Sequence, residues 1–137
     1  MTNGEKKLLQ IIQRYEYNAV RLAETEERIR GETYKVTPSY NNTGGGRANG
    51  NHSKVEDFAE RSAKLKEDVK EYRRQIRVAE AALHCPDLTT TESRILWWIS
   101  AGLRLSGFAD REGIYISRVY KIRDKALRKA LKHIETT

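Results

Sequence analysis

The sequence predicts an all-α protein: an N-terminal antiparallel coiled-coil hairpin followed by a helix-turn-helix domain. Three observations carry this. Apolar residues recur at steps of three and four over two long stretches. Only two prolines occur, Pro38 and Pro86, so those stretches hold no helix breaker. Near the C-terminus two short apolar runs, each closed by a glycine, precede a basic amphipathic stretch.

The first helix is expected from about Glu5 to Arg30. Leu8, Ile12, Tyr15, Ala19, Leu22 and Ile29 form its stripe, with Glu26 at the missing heptad position and Gly31 as the stop. Residues 31–53 read as a loop. They hold Pro38, the run Gly44-Gly45-Gly46, Gly50 and four asparagines, too little apolar surface to offset the cost of ordering. No Gly-Lys-Ser/Thr follows the glycine run, so it is not read as a phosphate loop. The patch Thr37-Pro38-Ser39 inside it has no role that its residues reveal.

The second helix is expected from about Ser53 to His84. Val55, Phe58, Ser62, Leu65, Val69, Tyr72, Ile76, Ala79 and Leu83 follow one another at alternating steps of three and four. That is the heptad pattern of a coiled coil. Two such helices joined by a loop fold back as a hairpin. The seam is narrow, so it should pack against a second copy, the C-terminal domain or a partner. The expected domains are therefore 1–84 and 86–137, divided by Pro86.

In the second domain, Thr89 to Glu92 fits a capping box opening a helix to about Ala101. Ile95, Leu96, Trp98 and Ile99 supply its core face, Trp97 an edge, and Gly102 the stop. A short helix over Leu105–Glu112 puts Phe108 and Ala109 inward and ends at Gly113, where a left-handed backbone costs glycine least. A last helix runs from about Ile116 to His133. Val119, Ile122, Ala126, Ala130 and Ile134 share one side, with Leu127 and Leu131 widening it. Ser117, Arg118, Lys121, Asp124, Lys125, Arg128 and Lys132 share the other.

Charge points to the partner. The chain of 137 residues carries a formal net charge of +7. From Arg118 to His133 there are seven basic residues and one acid, Asp124. A basic helical face suits a polyanion. Short helix, glycine turn and basic helix together form the helix-turn-helix pattern, whose second helix enters the major groove of double-stranded DNA. Arg118 and Lys121 are the candidates for guanine contacts. Ser117 and Tyr120 are candidates for bases or backbone. Lys125, Arg128, Lys129 and Arg111 are candidates for phosphates, while Arg123 lies toward the buried side.

No catalytic or cofactor site is expected, so the protein is read as a non-enzyme. Its histidines are His52, His84 and His133, and the single cysteine is Cys85. His84 and Cys85 are adjacent, and no second pair with ligand spacing exists, so no metal site is expected. One cysteine forms no intramolecular disulfide. No apolar run follows Met1 and none reaches about 18 residues, so neither a secretory leader nor a membrane span is expected. The protein is read as cytoplasmic.

The strings Thr37-Pro38-Ser39, Gly102-Leu103, Phe108-Ala109, Gly113, Ser117-Arg118-Val119-Tyr120-Lys121-Ile122 and Lys125-Ala126-Leu127 carry a resemblance. The chain resembles phage late transcription regulators of the ArpU/RinA type from Gram-positive hosts, which implies a C-terminal domain like region four of sigma factors. The resemblance implies DNA binding near promoters, regulation of late phage genes, contact with host RNA polymerase, and residence in the bacterial host cytoplasm. Arg104 and Tyr115 stand where that family favours polar caps, and Glu112 where it favours an apolar residue. Two other readings compete with it: a DNA-packaging recognition subunit such as a phage small terminase, and a coiled-coil interaction protein that binds a host factor. Homo-oligomerisation through the coiled coil is expected in the leading reading.

Overall fold

The computed structural model describes residues 1–36 and 48–136, with side chains over 1–31 and 56–136. Among the described residues there are six helices and no strand: α1 (Asn3–Gln13), α2 (Tyr15–Val36), α3 (Ala48–Leu83), α4 (Thr90–Ser100), α5 (Leu105–Glu112) and α6 (Ile116–Thr136). The Thr37-Pro38-Ser39 patch and the glycine run at 44–46 lie outside the described residues.

The expected first helix is two. Thr2 caps α1, its hydroxyl accepting from the Glu5 amide while the Glu5 carboxylate accepts from the Thr2 amide. This capping box satisfies two amides that the first turn leaves orphaned. α1 ends at Arg14, at φ −96° and ψ 8°. The chain re-enters a helix at once, with the Asn18 amide on the Arg14 carbonyl at 2.7 Å.

That break changes the phase of the stripe. Along α2 the buried and half-buried positions include Tyr15, Asn18, Leu22, Thr25 and Ile29, whereas Ala19 is exposed. Polar residues therefore hold two heptad positions that the sequence reading gave to Ala19 and Glu26. The expected stop at Gly31 is also corrected, since α2 continues to Val36. One glycine inside a helix costs about 1 kcal/mol relative to alanine. Once a helix is nucleated, each further residue adds a hydrogen bond, and propagation offsets that cost. The 31–53 loop is shortened at its other end too, because α3 begins at Ala48.

The chain divides into two compact units, one of Met1–Ala19 with Arg74–Thr137 and one of Val20–Arg73. The division expected at Pro86 would instead have kept α1 apart from α4–α6. Leu8 and Ile12 explain the difference. Both are almost fully buried, in one cluster with Leu83, Ile95, Leu96, Phe108, Val119 and Leu127. Burying such a side chain is worth roughly 1.5–3 kcal/mol, more than a solvated two-helix seam offers. A Cβ on Gly4 would come within 3.0 Å of Leu131, so α1 and α6 approach closely there. Tyr15 and Asn18 bond to the end of α3: the Tyr15 hydroxyl donates to Glu80 at 3.0 Å, and the Asn18 amide to Gln75 at 2.9 Å.

The unit over Val20–Arg73 is held by a half-buried row. Phe58, Ser62, Leu65 and Tyr72 are half-buried and Val69 is buried, as the stripe of α3 requires. Arg73 donates to Glu26 at 2.7 Å, tying α3 to α2. Val55 lies outside the described side chains.

The C-terminal helices follow the expected bounds closely. Gly102 and Gly113 have φ of +76° and +66°, the left-handed positions that favour glycine. α5 packs so closely on α4 that a Cβ on Gly107 would lie 3.2 Å from the Trp98 ring. Trp98 also meets Phe108 edge to face and donates its indole N–H to the Arg104 carbonyl at 2.7 Å. Glu112 pairs with Arg94 on α4. An ion pair thus holds the place where an apolar residue was expected. No described helix is long and apolar enough to cross a membrane.

Candidate nucleic-acid interface

α6 has two unlike sides. Val119, Ala126, Leu127 and Ala130 are buried, and Ile122, Leu131 and Ile134 pack against the same core. Ser117, Arg118, Lys121, Lys125, Arg128 and Lys132 are all exposed. At roughly 100° per residue these six fall within about 100° of arc. The helix is unbroken from Ile116 to Thr136, so the arc is one continuous ridge.

Among the described residues, no ion-pair partner faces Arg118, Lys121, Lys125 or Lys132. Asp124, the one acid between Arg118 and His133, stands at the edge of the arc. Its carboxylate is taken by Arg123 at 2.8 Å. Arg118, Lys121, Lys125 and Lys132 therefore offer their N–H donors and positive charge outward.

The ridge continues toward the start of α4. Arg118 and Lys125 share a groove with Thr89 and Thr91. Thr89 caps α4, its hydroxyl accepting from the Glu92 amide at 3.2 Å. A helix N-terminus flanked by two cations is electrostatically suited to an anion. Only half of the expected capping box forms here, because the Glu92 carboxylate turns inward and accepts from Lys129 at 2.7 Å. Burial pushes the Glu92 carboxyl up. Hydrogen bonds from Lys129 and Thr89, with the Lys129 charge, outweigh that and hold it below the ordinary range.

Three sequence-predicted residues stand apart from the ridge. Lys129 leaves the phosphate set, since its ammonium is committed to a carboxylate that is 4% exposed. Tyr120 is 44% exposed but on the other flank of α6, under the Arg123 guanidinium at 5.0 Å. There it lines a groove with Leu9, Gln13 and Leu103, not the basic ridge. Arg111 is exposed on α5, where it borders a groove with Trp97, Leu103 and Phe108. Arg128 stays on the ridge. Its guanidinium is 72% exposed and stands 3.6 Å from the carboxylate of the buried Glu5, so its outer side stays free for an anion. Arg123 lies on the buried side, as its position on the helix predicted.

The sequence reading placed Lys132 on the basic face but did not count it among the contacts. Its angular place beside Lys121 and Lys125 was the available signal. The reading missed a second constellation, in which donor atoms of Cys85, Asp87 and His133 lie within 4.8 Å of one another. No spacing rule joins a Cys-x-Asp turn to a histidine nearly fifty residues on.

No family model, curated protein or solved structure matches the chain.

Proposed function

We propose that the chain binds double-stranded DNA as a transcription regulator, with α5, the Gly113 turn and α6 acting as a helix-turn-helix. The observation that carries this is the exposed ridge of α6, where five cations and Ser117 project from one continuous arc. A helix of this kind fits the major groove, with residues near its N-terminus at base edges. Ser117, Arg118 and Lys121 occupy that end. Lys125, Arg128 and Lys132 follow further along, where a groove-bound helix meets phosphates. Thr89 and Thr91 at the start of α4 would add neutral donors to the same strand. The link of Gly113, Ile114 and Tyr115 has the three-residue length usual for the motif.

The distal parts of α2 and α3 are the proposed antiparallel coiled-coil hairpin. The Glu26–Arg73 pair and the burial of Val69 support that reading. It supplies a surface for a second copy or for a partner such as host RNA polymerase. The resemblance to ArpU/RinA-type regulators makes late phage genes the proposed targets and the host cytoplasm the proposed setting. No catalytic step is assigned to the protein.

The test is selection of bound fragments from a random duplex pool, with the native chain and with Arg118→Ala/Lys121→Ala. The native chain should enrich one short motif, and the double variant should lose that enrichment while keeping the helical circular dichroism of the parent. Equal enrichment by the two proteins would overturn the groove assignment.

A further inference from the structure

Three metal-donor groups meet where α3 ends and α6 runs out. Cys85 follows the last turn of α3, with its amide on the Ala82 carbonyl at 3.3 Å, and is 6% exposed. Its Sγ lies 3.9 Å from the Lys129 carbonyl on α6. His133 stands one helical turn beyond Lys129, on the same side of α6. Pro86 then turns the chain, and the Asp87 carboxylate returns to the same point. The three donor atoms lie within 4.8 Å of one another. The thiol is buried, the imidazole half-buried and the carboxylate exposed, so the cluster runs from the core to the surface.

The donor set selects the class of ion. Thiolate and imidazole disfavour calcium and magnesium, which take oxygen ligands, and favour zinc. Ligands at 2.0–2.3 Å around a tetrahedral centre stand roughly 3.3–3.8 Å apart. The three groups would close on an ion with about 1 Å of side-chain movement. One thiolate and one carboxylate neutralise a dication, so the complex adds no net charge to this basic end of the chain.

We propose that Cys85, Asp87 and His133 form a three-ligand zinc site, with the fourth position open to water, that fastens the 85–87 turn to the last turns of α6. On binding, the Cys85 thiol proton passes to solvent as the Sγ–Zn bond forms, and His133 binds through an unprotonated ring nitrogen. The site then joins the α3–α4 connection to the helix that carries the basic ridge. His84 is outside it, since its ring meets Trp97 edge to face at 5.6 Å.

The experiment titrates the metal-free full chain with zinc and with cobalt as a coloured substitute. The expected result is one ion per chain, with a thiolate-to-cobalt absorption band, the visible bands of a four-coordinate ion, and a zinc-dependent rise in melting temperature. Cys85→Ser and His133→Gln should each weaken binding by about a hundredfold or more, since even outer-shell losses reach that scale. Asp87→Asn should weaken it less, and His84→Gln not at all. Circular dichroism of each metal-free variant separates lost ligation from lost folding. If a variant does not fold, the native cobalt spectrum decides alone. No zinc binding by the native chain, a spectrum without a thiolate band, or native affinity in folded His133→Gln would each overturn the proposal.

Discussion

Removing the Lys129 ammonium should destabilise the first unit far more than a surface lysine can. Glu92 is almost fully buried, whereas the Lys129 side chain is 29% exposed. Losing one partner of a fully buried pair costs roughly 3–5 kcal/mol, because the other charge stays without compensation. The partial exposure of Lys129 lets water reach the site and lowers this to about 2–3 kcal/mol. At a few degrees per kcal/mol for a chain of this size, Lys129→Ala should melt roughly 8–12 °C below the parent at neutral pH. The pair Glu92→Met/Lys129→Ala, which leaves no buried charge, should recover much of that loss. The assay is thermal melting by circular dichroism in a double-mutant cycle. The sign with pH follows from Glu92, whose carboxyl is held below its ordinary value. Its contribution is present above the unfolded value of about 4.3 and is lost as pH falls through the lower folded value. The gap between parent and Lys129→Ala should therefore narrow below about pH 4. Additive losses in the cycle, or a Lys129→Ala melting point within about 2 °C of the parent, would refute this reasoning.

Three further outcomes are expected. Tyr15→Phe should cost about 1 kcal/mol in urea unfolding, from loss of the hydrogen bond to Glu80. Burial and Glu80 raise the Tyr15 hydroxyl, so its contribution is full below about pH 10 and is lost as pH rises through the folded value; the variant should lack that alkaline loss in melts. Gly113→Val should cost about 1–2 kcal/mol or more, because valine pays for a φ of +66°; a melting point equal to the parent's would show that the turn is not left-handed. Gly31→Ala should raise helix stability by about 0.5–1 kcal/mol, since Gly31 lies inside α2 and a Cβ there meets nothing within 4 Å; a loss would restore Gly31 as a helix stop.

The legible parts of this chain were those where one local rule acts alone. α4, α5 and α6 lie close to their expected bounds because Thr89, Gly102 and Gly113 are strong punctuation and Val119, Ala126 and Ala130 keep a clean helical period. The row from Phe58 to Leu83 is half-buried or buried throughout, on the side its period predicted, for the same reason. α1 and α2 were less legible. Their residues satisfy a heptad as one helix, and nothing local distinguishes that from a break at Arg14 with Asn18 and Thr25 turned inward. The choice is made by long-range packing, which draws Leu8 and Ile12 into the core of α4 and α6. In the candidate interface, the outward residues of α6 could be read from helical phase. The withdrawal of Lys129 could not, because its partner Glu92 is 37 residues away and its burial is a property of the folded unit.

The measurement that tests the central claim most directly is the salt dependence of duplex binding, read by fluorescence anisotropy. Lys125, Arg128 and Lys132 are the proposed phosphate contacts, and three neutralised phosphates per chain give a slope of log affinity on log salt of about −2.7. The account predicts that slope for the native chain and one shallower by about 1 unit for each of these cations removed. A native slope shallower than about −1, or one unchanged in Lys125→Ala/Arg128→Ala, would contradict a duplex bound along the ridge of α6.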